Sequence, residues 1–165
     1  MIIAPITIRP ATLDDLAAIV AMLADDPLGA TREVVSDPVS PAYRTAFEAI
    51  SADANNELVV ACQAVGTVIG TLQLTFTPSI SRRGAWRATI EGVRIARQAR
   101  SLGLGAQLVE WAVARAEARG CATVQLTTDR SRIDAHRFYE RLGFVASHVG
   151  MKRLLAHSPP HDGKP

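Results

Sequence analysis

The chain has 165 residues, 48% of them apolar and 21% charged, with a formal net charge of +2. That length is enough to bury a sizeable core, and the small charge gives no reason to expect nucleic acid or a membrane surface as partner. No apolar run reaches the eighteen or so residues of a spanning helix, and the N-terminus lacks a signal-peptide pattern.

Cys62 and Cys121 lie in apolar, strand-like runs with no Cys-x-x-Cys, so buried reduced thiols in a cytoplasmic protein are expected. Of the four histidines, His157 and His161 fall in a Pro-rich tail, and nothing has metal-ligand spacing. No metal is expected.

Ile6 to Arg9 alternates apolar and polar residues, as a first strand does. Thr12 is placed to cap a helix with Asp14 and Asp15 in its first turn, and Leu13, Leu16, Ile19, Val20 and Leu23 form its apolar face. Asp25-Asp26-Pro27-Leu28-Gly29 stops it, and the following Ala30 to Val39 has no clear period. Ser40 and Pro41 open a second helix that buries Tyr43, Phe47 and Ile50 and ends near Asn55-Asn56. Glu57 to Gln63 and Thr67 to Thr77 read as a hairpin turning at Ala64 to Gly66, with Val68, Gly70, Leu72, Leu74 and Phe76 on one face. Pro78 to Gly84, with Arg82 and Arg83, is a basic turn, most simply a solvated hairpin tip. Ala85 to Ile95 is the next strand.

The stretch Glu91 to Val113 then runs from a strand end through a basic bend (Arg97, Arg100) and a glycine pair (Gly103, Gly105) into an amphipathic helix. A helix start leaves its first N–H groups unpartnered and carries partial positive charge. Glycine there lets phosphate oxygens approach the backbone, and arginine adds charge, so a phosphate-bearing ligand suits this tip. On spacing alone an ordinary strand-to-helix connection stays equally open. A Walker loop is disfavoured because Ala106 and Gln107 follow Gly105. A dinucleotide fingerprint lacks its third glycine and its adjacency to the strand.

The helix from about Leu104 to Arg119 turns Leu108, Val109, Trp111 and Ala112 inward and Gln107, Glu110 and Glu117 outward, and Gly120 ends it. Thr123 to Thr127 is a strand reached by a parallel crossover. Ser131-x-x-Asp134 resembles a capping box opening a last helix that ends at Gly143, and Val145 to Leu155 contains a final strand or two. With no repeat or boundary, one domain over residues 1–156 is expected, followed by a disordered tail at 157–165.

Arg100-x-x-Gly103-x-Gly105 after Val93-Arg94-Ile95 resembles the acetyl-CoA-binding motif of the GNAT superfamily of N-acetyltransferases. Ala135-His136-Arg137-Phe138-Tyr139-Glu140-Arg141-Leu142-Gly143-Phe144 resembles the superfamily's Ala-x-x-x-Tyr-x-x-x-Gly-Phe signature. The resemblance implies an α/β (α+β) GNAT fold, a central mixed sheet of about six to seven strands flanked by about four helices and splayed open after the Ala85–Ile95 strand. It further implies acetyl-CoA as acetyl donor, its pantetheine arm on backbone groups of Val93, Arg94 and Ile95. The pyrophosphate would sit on amides of Ser101, Leu102, Gly103, Leu104, Gly105 and Ala106 with Arg100 beside it, and the last helix would flank the arm at Ala135. Members often carry Asn three residues before that alanine. Arg132 stands there instead, and would reach a phosphate in its place.

The implied reaction is direct attack of the amine of a small-molecule or amino-acid-like acceptor in a ternary complex. Glu91 is the candidate base, facing the same way as Thr89, Val93 and Ile95 in a regular strand, and Tyr139 the candidate acid for the thiolate. An exposed strand carboxylate and a core aromatic are the plain alternatives for these two. A backbone N–H of the Val93–Ile95 strand would hold the carbonyl oxygen. No nucleic-acid or membrane partner is implied, and a homodimer is, since members are often dimers. A non-catalytic acyl-CoA sensor would need Arg100, Gly103 and Gly105 but neither Glu91 nor Tyr139.

Overall fold

The computed structural model describes residues 6–155. One mixed sheet carries five strands in sequence order: β1 (Thr7–Pro10), β2 (Asn56–Cys62), β3 (Val68–Thr77), β4 (Trp86–Ile95) and β5 (Cys121–Leu126). The first four pair antiparallel, and β5 runs parallel to β4, as the crossover required. Helices α1 (Leu16–Ala24) and α2 (Pro41–Ala52) precede β2. A single turn α3 (Ser81–Gly84) links β3 to β4, with positive φ at Arg82, Arg83 and Gly84. Helices α4 (Leu104–Ala118) and α5 (Ile133–Arg141) flank β5 in the chain.

Alternation in β3 decides the layers. Leu72, Leu74 and Phe76 are under 2% exposed and meet Leu108, Val109 and Ala112 of α4 in the main core. Each such side chain contributes about 1.5–3 kcal/mol by leaving water. Gly70 belongs to this face, and a Cβ there would stand 2.9 Å from Leu108 Cδ1, so only glycine lets α4 come so close. On the opposite face α1 lays Ile19 on Val60 and Cys62. Val60 pairs with Thr71, so Thr71 shares the α1 face, where its buried hydroxyl donates to Val59 O at 2.8 Å.

The corner between β1 and α1 is held by Asp15, which is 6% exposed. Its carboxylate takes two hydrogen bonds from Arg9 (2.6 and 2.9 Å) and one each from Thr12 N (2.7 Å) and Thr12 Oγ1 (3.0 Å). These bonds outweigh burial and hold its carboxyl below the ordinary value of 3.8.

Several expectations are corrected. Residues 145–155 form no strand, so the sheet has five strands. The apolar residues are present in that segment, but Val145, Val149, Met151, Leu154 and Leu155 are all exposed: periodicity does not supply the paired edge that makes a strand. The Ser131–Asp134 capping box is also absent. Ser131 N and Oγ both bond Asp129 Oδ1 (2.9 and 2.7 Å), and Arg132 is the residue ahead of α5. Trp111, Tyr43, Phe47, Ile50 and Cys121 are half-buried where full burial was expected. The tail from His157 lies outside the described residues.

Candidate active site

The sheet opens where β4 outruns β5. Their pairing ends at Ile90 opposite Leu126, and from Glu91 to Ile95 β4 is bonded only to β3. Its other edge there is paired to no strand, a template for an extended ligand. A bulge lies within this free segment. Between the Thr71–Arg94 and Gln73–Glu91 pairs, Gly92 and Val93 together oppose Leu72, and Gly92 takes φ +61°.

The extra residue changes which way side chains point. Glu91 opposite Gln73 stays with Thr89 on the α1 face, whereas Ile95 opposite Gly70 turns to the α4 face. The regular-strand expectation had all of them together. Arg94, opposite Thr71, therefore joins Glu91 on the α1 face. Glu91 is exposed and makes no ion pair among the described residues.

Beyond β4, a 3₁₀ turn at Arg97–Ala99 leads through Ser101 (φ +65°) and Gly103 (φ +77°) into α4. The helix's first bond runs from Gln107 N to Gly103 O at 3.2 Å. By helix geometry the amides of Leu104, Gly105 and Ala106 have no carbonyl to bond. A Cβ on Gly103 would meet nothing within 4 Å, so the space before these amides is open. This is a tip that fits a diphosphate. Gly105 also faces the last helix: a Cβ there would lie 3.4 Å from the Phe138 ring, an ordinary van der Waals contact.

Four arginines gather around an acidic pair at the end of α1. Asp25 accepts from Arg97 (2.5 Å) and Arg100 (2.8 Å), and the backbone carbonyl of Asp25 takes a second bond from Arg100 at 3.0 Å. Asp26 Oδ1 accepts from Leu28 N, Gly29 N and Arg132 at 2.8, 2.9 and 2.7 Å, while Arg94 Nη2 stands 3.1 Å from Oδ2. Burial pushes the Asp26 carboxyl up, but the Gly29 amide, Arg132 and Arg94 together hold it below its usual range. The carbonyls of Val93 and Ile95, expected to meet the pantetheine arm, accept Arg94 Nη1 (2.8 Å) and Arg100 Nε (3.1 Å). Each carbonyl keeps a second lone pair.

Sequence reasoning took Asp25 and Asp26 as a helix stop without pairing them to arginines, and took no account of the Arg94 side chain. A signal was present: two aspartates at a helix C-terminus face an unfavourable dipole, and nearby cations are what make that placement tolerable. The loop beyond is tied down by Tyr43, whose hydroxyl donates to Glu33 (2.8 Å) and accepts from Val34 N (2.9 Å).

Tyr139 sits in α5, edge-on to Phe138 and Phe144 with ring centroids 5.0 and 5.8 Å away. Burial raises its phenol above the ordinary 10.0, partly offset by Arg94 and Arg132, so the hydroxyl keeps its proton at neutral pH. That hydroxyl makes no hydrogen bond among the described residues. Ala135 is half-buried one turn earlier. Two cavities lie beside Asp26 and Pro27. One of about 370 Å³ is lined by Asp25, Pro27, Ala30, Arg97 and Arg100 among others; one of about 310 Å³ by Asp26, Pro27, Leu28, Ser131 and Arg132.

The chain is 28% identical over 149 residues to an aminoalkylphosphonate N-acetyltransferase of Salmonella typhimurium, covering 90% of each. Among solved structures it resembles a transcriptional regulator from Bacillus halodurans C-125, at 54% identity and TM-score 0.88, over 92% of this chain and 100% of that one. Glucosamine-6-phosphate N-acetyltransferase from Arabidopsis thaliana shares the fold at 19% identity and TM-score 0.71, over 91% and 98% of the two chains. The acetyltransferase (GNAT) family model matches residues 20–144, which contain the open β4 edge, the glycine tip and the Tyr139 helix. The chain belongs to the GNAT acetyltransferase family.

Proposed function

We propose that the protein transfers an acetyl group from acetyl-CoA to the primary amine of a small, amino-acid-like acceptor, both bound at once. The observation that carries this reading is the open β4 edge leading straight to an open-faced helix tip at Gly103. Main-chain amides of residues 102–106 would hold the diphosphate, with Arg100 and Arg97 exchanging Asp25 for phosphate oxygens. The backbone of Val93 to Ile95 would carry the pantetheine arm, with Ala135 of α5 alongside. Acetyl-CoA supplies the activated thioester. An ammonium and acetyl-CoA give an acetamide, free CoA and one proton.

The chain's own residues handle the protons. An amine of pKa near 10.4 costs about 4–5 kcal/mol to deprotonate at pH 7, whereas leaving a thiol near 8.5 charged costs about 2 kcal/mol. The base therefore matters more than the acid. Glu91, on the α1 face beside the free edge, takes the ammonium proton directly or through water. Tyr139, kept protonated by burial, donates to the thiolate. Holding both reactants in one cleft contributes several kcal/mol more.

A second reading is a non-catalytic acyl-CoA sensor, favoured by the likeness to a protein described as a transcriptional regulator. One experiment separates the two: calorimetry with CoA, then CoA thiol release against a panel of amines. Binding with release supports the transferase, and binding without release for any amine supports the sensor. Absence of binding overturns both.

A further inference from the structure

Arg94 and Arg132 reach one carboxylate from opposite walls of the cleft, Arg94 from β4 and Arg132 from the entry to α5. Each guanidinium is permanently charged, so two positive charges share the single negative charge of Asp26. The bonding between them is incomplete. Arg94 Nε and Asp26 Oδ2 are both buried without a hydrogen-bond partner, although Arg94 Nη2 is only 3.1 Å from that oxygen. A buried guanidinium N–H left unbonded is costly and uncommon. Of the other groups near Arg94, Tyr139 is neutral, and Glu33 adds negative charge but accepts the Tyr43 hydroxyl and makes no hydrogen bond or ion pair with Arg94, so Nε stays unbonded. Both arginines remain approachable, their side chains 24% and 33% exposed. Beside Asp26 and Arg132 opens the cavity of about 310 Å³, room for a molecule of a few heavy atoms.

Position along β4 supplies the other half. Arg94 and Glu91 lie opposite Thr71 and Gln73, on one face and two β3 residues apart, a separation of about 7 Å. We propose that Arg94 and Arg132 bind an anionic group on the acceptor itself, a carboxylate or a phosphonate, while its amine lies toward Glu91. The acceptor is then a short zwitterion, and its anion gives the two guanidiniums a second anionic partner besides Asp26. This rests on the acetyl-transfer reading. The cofactor's diphosphate is assigned elsewhere, to the Gly103 tip with Arg97 and Arg100, and Arg132, expected at a cofactor phosphate from the family resemblance, is reassigned to the acceptor because Asp26 holds it at 2.7 Å.

The test compares three acceptors of matched length: propylamine, β-alanine and 2-aminoethylphosphonate. At least one of the charged amines is expected to exceed propylamine in kcat/KM by roughly 10- to 100-fold, the scale of a charge-assisted bond, and their relative rates tell carboxylate from phosphonate. Arg132→Met should collapse that ratio toward one while the Kd for CoA stays unchanged. Arg94→Lys, which keeps the charge and loses the fork, should lower it partway. Propylamine matching both charged amines overturns the proposal, as does an Arg132→Met variant that weakens CoA and leaves the ratio intact. Calorimetry of β-alanine and 2-aminoethylphosphonate on the CoA-bound protein reads the site without turnover. No uptake of either one overturns the subsite alone, whereas failure to bind CoA overturns the acetyl-transfer reading and the subsite with it.

Discussion

Asp25 and Asp26 are chain neighbours with the same charge, and each is gripped by two arginines, yet they behave as different kinds of site. Asp25 meets Arg97 and Arg100 at the surface, the Arg97 side chain being 78% exposed. Such pairs are screened by water and salt and contribute little, so phosphate oxygens can replace the carboxylate readily. Asp26 is 14% exposed and bonded to two backbone amides as well as Arg132, with Arg94 behind it. A buried carboxylate so placed is hard to remove without leaving cations unpaired. On the proposed reading one aspartate is a placeholder at the cofactor tip and the other part of the framework of the acceptor side.

The most direct way to break this comparison is Asp26→Ala. It strands Arg94 and Arg132 against each other and frees the Leu28 and Gly29 amides, at a cost of about 2–4 kcal/mol. For a chain of this size that lowers Tm by roughly 5–15 °C, read by scanning calorimetry. Asp25→Ala should scarcely move Tm, and an equal fall would erase the distinction. Next comes Tyr139→Phe, which removes the hydroxyl beside the buried cluster. Turnover should fall roughly 10- to 100-fold with CoA affinity unchanged, and undiminished turnover would end its role as acid.

A smaller effect sharpens the surface side. Asp25→Asn releases Arg97 and Arg100, so CoA should bind a few-fold tighter at low salt, the gain shrinking as salt rises. Titration calorimetry at two ionic strengths checks this; identical affinities would mean that these arginines do not face the diphosphate. The mildest probe is acid. Asp15 and Asp26 have folded pKa values below 3.8, so the stability they contribute is present above that pH and lost as pH falls through the folded values. Tm should hold steady from pH 7 to about 5 and drop below pH 3.8, less steeply in Asp26→Asn, whose side chain has no proton to gain.

Much was legible in the chain alone. Alternation in Val68–Thr77, the apolar stripe of Leu104–Ala118 and the Gly120 stop are local patterns, and local sterics and burial decide them. The glycine tip was legible for the same reason. Gly105 shows the boundary: its sequence position suggests phosphate, while its nearness to Phe138 depends on an element some thirty residues away. The missing strand in residues 145–155 is another case, because pairing needs an edge that periodicity does not provide.

The order of elements, the parallel crossover and an anion-ready helix tip followed from the amino-acid sequence by itself, because each depends on neighbours within a turn or two. Tertiary structure alone decided where Glu91 and Arg94 point, since one bulge at Gly92 shifts the alternation of everything after it. It alone also brought Asp26, Arg94 and Arg132 together from the end of α1, from β4 and from the entry to α5. Charge balance in a buried cluster is a property of space, and no spacing along the chain encodes it.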